Sequence, residues 1–245
     1  MPDPHSPESI RPWPLVAGIG YLIIIATGIF AEFIVRGGII VRGDAAETAR
    51  LLLASESLYR LGIAGELVML VCDVLVAVAL YVLFRGVSRN LALLAAALRV
   101  THAAVVAVNL IQLSIPLRML RDSSLVTALD VAPREALSLL ALDTHAYGYV
   151  VGLVFFGVQC LVMGRLVWCS GFAPRALGAL LGVAGVGYLV DSFARTLLAS
   201  YHSHEALFGA VVIGPAVLGE VAFCVWLLVR GTALATRAPA APRPA

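Results

Sequence analysis

Glu66, Asp73, Arg99, His102 and Asn109 are residues that do chemistry, set where such residues are costly. All five fall in two consecutive apolar stretches, Leu58 to Phe84 and Leu91 to Ile115, joined by the turn Arg85-Gly86-Val87-Ser88-Arg89-Asn90. Ionisable groups isolated in hydrocarbon are expensive, so they turn to a bundle interior and to each other. Carboxylates, an imidazole and a guanidinium held out of water are the material of proton relays and of sites for small polar solutes. The same groups can also serve as a structural network of ion pairs that fixes helix pairing. Folding the two stretches back about the middle of the turn sets Asp73 level with His102 and Glu66 level with Asn109. Glu66 and Asp73 are seven apart, as are His102 and Asn109, which is nearly two helical turns, so each pair forms a stripe. The reading is an intramembrane polar ladder.

A second polar set, Asp143, His145, Asp191 and Arg195, gathers toward one rim. Asp191 and Arg195 are four apart and can pair on a helix, and folding the chain about Gly171 brings Arg195 to the depth of Asp143 and His145. Asp143-Thr144-His145 and His202-Ser203-His204-Glu205, with Asp191, include ligand types that zinc takes. Residues two apart point to opposite sides of a helix, however, and no HExxH, nucleophile elbow or phosphate loop is present. No metal or cofactor is assigned, and an enzyme, here a metal-dependent membrane-embedded hydrolase, is the least favoured reading.

The elements that must position these groups are membrane helices. The hydrophobic fraction is 61%, only 13% of residues are charged, and the mean hydropathy of +0.97 lies outside the range of soluble domains. A net charge of +2 is too small to suggest nucleic acid, and none is assigned as a partner. All 17 basic residues are arginine, which fits a compositional bias better than a phosphate-binding device. Cys72, Cys160, Cys169 and Cys224 show no CxxC spacing and read as small apolar fillers of a bundle.

In chain order, residues 1–13 form a proline-rich disordered tail, 14–230 a single transmembrane helical domain, and 231–245 a second disordered tail. The first apolar run, to Val35, is a retained membrane helix, with Glu32 and Arg36 as a rim ion pair. Asp44-Ala45-Ala46-Glu47 is a capping-box signature that opens a short amphipathic helix. After the central hairpin, Pro133 to Leu142 reads as a second amphipathic helix. Membrane helices follow at about Tyr147 to Trp168, Ala176 to Leu198 and Leu207 to Val229, the last kinked at Pro215. The two helix-plus-hairpin halves resemble a diverged repeat. Small residues four apart, Gly148 with Gly152 and Gly178 with Gly182, allow close helix approach.

The fold class is therefore all-α, a polytopic bundle of about six membrane helices with two short amphipathic helices on the outer side. Arginines in the two tight turns place both termini in the cytoplasm of a cell-membrane protein. The lipid bilayer is the one partner assigned. A small-molecule ligand is not identifiable, and homo-oligomerisation is left open.

Several stretches are similar to those of a bacterial multi-pass membrane family catalogued only as a domain of unknown function. They include Glu32-Phe33-Ile34-Val35-Arg36-Gly37-Gly38, Asp44-Ala45-Ala46-Glu47-Thr48-Ala49, Tyr59-Arg60-Leu61-Gly62-Ile63, Tyr147-Gly148-Tyr149, Gly152-Leu153-Val154-Phe155-Phe156-Gly157, Ser170-Gly171-Phe172-Ala173-Pro174-Arg175-Ala176-Leu177-Gly178 and Gly187-Tyr188-Leu189-Val190-Asp191-Ser192-Phe193. The resemblance spans roughly residues 15 to 230. It implies a polytopic helical membrane protein and supplies no catalytic residues. Transport or permeation of a small solute or protons is the leading function. A structural, sensory or partner-binding membrane subunit is the alternative.

Overall fold

The computed structural model describes residues 12–229, and the two tails expected at the ends of the chain lie essentially outside them. Helix α1, Trp13–Ile29, runs on through a π-helical segment, Phe30–Arg36, to Ile39. Then come α2, Ala45–Ala54; α3, Glu56–Phe84; and α4, Arg89–Asn109, which passes through the 3₁₀ turn Leu110–Ser114 into α5, Ile115–Arg121. The chain closes with α6, Ser123–Ala128; α7, Val131–Cys169; α8, Arg175–Leu197; and α9, Glu205–Val229, in which Pro215 is internal. No strand occurs among the described residues, and the architecture is an all-α polytopic helical bundle.

Five runs are long and apolar enough to cross a membrane: Trp13–Ile39, Glu56–Phe84, Arg89–Arg121, Val131–Cys169 and Arg175–Leu197. In α9 the apolar part among the described residues is the shorter Gly214–Val229. A span needs roughly 20 residues to cross about 30 Å of hydrocarbon. Large apolar side chains point outward, such as Val71 at 63% and Val108 at 69% exposure. That is costly against water and natural against lipid.

The elements differ from the sequence expectation where local chemistry decides. The second amphipathic helix and the fourth membrane helix are one helix, α7, of 39 residues. Nothing between Leu142 and Tyr147 breaks it: Thr144 Oγ1 donates back to the Leu140 carbonyl at 2.7 Å, and Pro133 sits in the first turn, where its missing N–H costs nothing. The two halves of the chain therefore differ in layout, since α2 is a helix apart from α3. The 3₁₀ turn before α5 has its cause in Pro116, whose ring cannot coexist with the α-helical carbonyl four residues earlier, at Gln112. At α2 half of the capping box forms. Asp44 Oδ1 accepts from the Glu47 amide at 2.9 Å, but the Glu47 carboxylate turns to Arg50, at 2.5 and 2.7 Å, instead of back to the cap. Those hydrogen bonds hold the Glu47 carboxyl below the usual carboxylate range.

Two compact units divide the chain. One contains residues up to Leu22, Asp73–Val100 and Phe156 onward. Its interior includes Val76, Leu80, Phe84, Phe223 and Leu227, with Phe223 edge-on to Tyr21 and stacked on Trp226. Bare backbones meet here: a Cβ on Gly178 would lie 2.6 Å from the Gly164 carbonyl oxygen, so α7 and α8 approach as only glycine allows. The other unit contains Ile23–Cys72 and Thr101–Phe155, packed around Val35, Leu52, Tyr59, Met69, Val106, Leu113 and Leu142.

Candidate functional site: two buried polar clusters

Each unit encloses a cluster of charged and polar side chains. In the first, α4 carries Arg99 and α3 carries Asp73, with 0% and 3% of the side chain exposed and Nη2 2.7 Å from Oδ1. Arg99 Nη1 donates to the Tyr21 hydroxyl at 2.8 Å. The guanidinium lies against two rings, 4.6 Å from the Tyr21 centroid and 5.4 Å from that of Phe156. A planar, weakly hydrated cation is the one best suited to such a dry aromatic setting. Glu220 of α9, in the same unit, accepts from the Tyr188 hydroxyl at 2.5 Å.

In the second cluster Glu66, 1% exposed, accepts from Arg36 Nη1, and Arg36 Nη2 also binds Glu32 at 2.8 Å. The expected Glu32–Arg36 pair therefore exists, but as one arm of a fork whose other arm is buried. Asn109 Nδ2 donates to the His145 carbonyl at 2.8 Å and lies 3.1 Å from the imidazole Nδ1. The Asn109 amide packs on the bare backbone of Gly148, where a Cβ would stand 2.1 Å from its Oδ1. His102 is buried beside Gly152, with its ring 6.3 Å from that of Tyr149. The Tyr59 hydroxyl donates to the Leu113 carbonyl at 2.8 Å. Glu66 Oε2 and His145 Nε2 are enclosed and make no hydrogen bond among the described residues.

The five ladder residues thus divide, Asp73 and Arg99 to one unit and Glu66, His102 and Asn109 to the other. Asp73 pairs with Arg99, and Glu66 pairs with Arg36. Mirroring about a turn gives depth but not rotation about the helix axis. Three residues of offset amount to only about 4.5 Å of rise, which an arginine spans easily.

The rim set divides as well. Asp143 is exposed, whereas His145, one helical step beyond Thr144, is buried. Asp191 and Arg195 make no ion pair with each other among the described residues, and both engage Tyr201. Its hydroxyl donates to Asp191 at 2.7 Å, and its ring lies 5.7 Å from the Arg195 guanidinium. The side chains of His202 and Glu205 lie outside what is described. Among the described residues no three His, Cys, Asp or Glu side chains gather as a metal ion requires.

Arg36, Tyr21, Tyr188 and Glu220 were missed as members of the clusters. Glu220 carried a usable signal, being a lone acid inside the apolar run Gly214–Val229, which the rule for intramembrane charges already covers. Arg36 carried none, because Glu32 four residues away satisfied it locally.

The profile of a family described as "Domain of unknown function (DUF4386)" matches residues 16–231. A protein of the archaeon Archaeoglobus fulgidus, described only as uncharacterized, is 33% identical over 175 residues, covering 70% of this chain and 85% of the relative. No solved structure matches the chain.

Proposed function

Because the chain belongs to the DUF4386 family, which brings no assigned activity, we propose from its own buried charges that it moves protons or a small polar solute across a membrane. The observation that carries this is Arg99: a guanidinium with no exposure, in an apolar helix, held by Asp73 and Tyr21. Helix pairing in lipid is achieved more cheaply by glycine contacts of the kind α7 and α8 already make. Charges kept in hydrocarbon are the usual mark of an ion or substrate path. Tyr21, Asp73, Arg99, Tyr188 and Glu220 in one unit, and Arg36, Glu66, Asn109 and His145 in the other, are the groups proposed to exchange protons or hydrogen bonds with the transported species. In this reading the protein is a multi-pass protein of the cell membrane with both termini in the cytoplasm.

The test is proton flux. Purified protein is reconstituted into vesicles holding a pH-sensitive dye, and flux is driven by a potassium diffusion potential with valinomycin. Wild-type protein is expected to dissipate the gradient faster than empty vesicles, and Glu220→Gln and Asp73→Leu with Arg99→Met are expected to abolish the difference while remaining folded. Variants that conduct like wild type would reduce the clusters to scaffolding. Wild-type vesicles no faster than empty ones, for protons and for a panel of small polar solutes, would remove the transport reading altogether.

A further inference from the structure

Four arginines of one unit and four of the other have different surroundings. In the unit that contains Ile23–Cys72, Arg36, Arg50, Arg60 and Arg121 each meet a carboxylate, at Glu32 and Glu66, Glu47, Glu56 and again Glu56. In the other unit, Arg85, Arg89, Arg165 and Arg175 border the turns that join α3 to α4 and α7 to α8, and neither 85–91 nor 164–175 contains an Asp or Glu. Arg89, Arg165 and Arg175 make no ion pair among the described residues. The carboxylates Asp73, Asp191 and Glu220 are engaged by Arg99, Tyr201 and Tyr188. Arg89, Arg165 and Arg175 therefore give one end of this unit positive charge that no ion pair among the described residues neutralises.

At that end lies a half-open cavity of about 210 Å³, lined by Val87, Ser88, Leu91, Arg165, Leu166 and Cys169. Its wall is amphipathic. Arg165 and Ser88 offer donors suited to a phosphate, while Val87, Leu91 and Leu166 offer an apolar surface beside them. Trp168, 45% exposed, precedes the lining residue Cys169, and tryptophan settles at the depth of lipid headgroups. Cationic donors, an adjoining apolar wall and interfacial depth together match one chemical class. We propose that this cavity binds the headgroup of an anionic phospholipid, with the phosphate on Arg165 and Ser88 and the glycerol and first methylenes along Leu91 and Leu166. A free phosphate shares the anionic chemistry but leaves the apolar wall unused.

Cys169 provides the readout, because it is exposed at the cavity whereas Cys72, Cys160 and Cys224 are buried. Full-length protein in a neutral detergent is labelled with an uncharged maleimide, and the rate at Cys169 is followed by peptide mass spectrometry. Titrations use phosphatidylglycerol, phosphatidylcholine or inorganic phosphate. Phosphatidylglycerol is expected to protect Cys169 saturably, and the other two are not. Arg165→Ala is expected to raise the phosphatidylglycerol needed by about fivefold, the worth of one arginine at a charged lipid surface. Arg175→Ala, near the cavity but outside its lining, should leave the midpoint unchanged. Equal protection by phosphatidylcholine would mean apolar contact alone, and equal protection by inorganic phosphate a free-anion site. An Arg165→Ala titration that overlays wild type would mean diffuse surface charge. Each of these three results overturns the proposal.

Discussion

Arg99 and Asp73 allow a prediction whose two halves differ in kind. Replacing Arg99 by Met leaves a carboxylate in a site where its side chain is only 3% exposed. Removing one partner of a buried pair costs about 3–5 kcal/mol. Replacing Asp73 by Leu instead strands a guanidinium, which does not deprotonate in the accessible range, and its deficit is again about 3–5 kcal/mol. Replacing both should return the protein to within about 1 kcal/mol of wild type, as apolar substitutes for buried ion pairs often do. The assay is reversible unfolding in mixed micelles with increasing dodecyl sulfate, followed by the fluorescence of Trp13, Trp168 and Trp226. A double variant whose loss equals the sum of the single losses would refute the reasoning.

Gly148→Ala should push the Asn109 amide off His145 and cost about 1–3 kcal/mol, since the new Cβ would overlap the Asn109 oxygen and overpacking of this kind is not absorbed freely. With Asn109 already changed to Ala, the same substitution should cost less than half as much in the micelle unfolding assay, and an unchanged cost would place the clash elsewhere. For orientation, a reporter fused after Arg237 or within the Arg85 to Asn90 turn should read cytoplasm, and one near Asp44 or Asp130 the opposite side. Periplasmic activity from the Arg237 fusion would reverse the proposed topology.

Much of the fold was readable because composition and span length are properties of the chain alone. Continuous apolar runs of the required length can only be helices if they are to satisfy their own backbone in lipid, and α3, α4 and α8 follow. The capping aspartate of α2 was legible for the same local reason. The joins between elements were not. Pro133 and the polar residues from Asp143 to His145 suggested a boundary, yet a proline in a first turn does not end a helix, and no glycine or later proline supplies a stop within α7. The buried residues themselves were found by their cost, but their partners were not, because pairing depends on which way a helix is rotated. Arg36 and Glu66 are thirty residues apart, a relation that periodicity within a single helix does not encode.

The π-helical segment Phe30–Arg36 bears on how such a chain can change length. A residue gained or lost inside a lipid-embedded α-helix turns everything beyond it by about 100°, so that a buried face is carried round to the acyl chains and a charge with it. A π turn is a place where one additional residue is held without passing the rotation on. Here it contains both Glu32, with 62% of its side chain exposed, and Arg36, with 13%, and Arg36 is the residue that reaches Glu66. This stretch is thus the part of the first helix where the loss of one residue can be taken up without turning what lies beyond it. A family member one residue shorter between Ile29 and Gly37 needs no π turn, and it can hold the same arginine against the same glutamate on a plain α-helix.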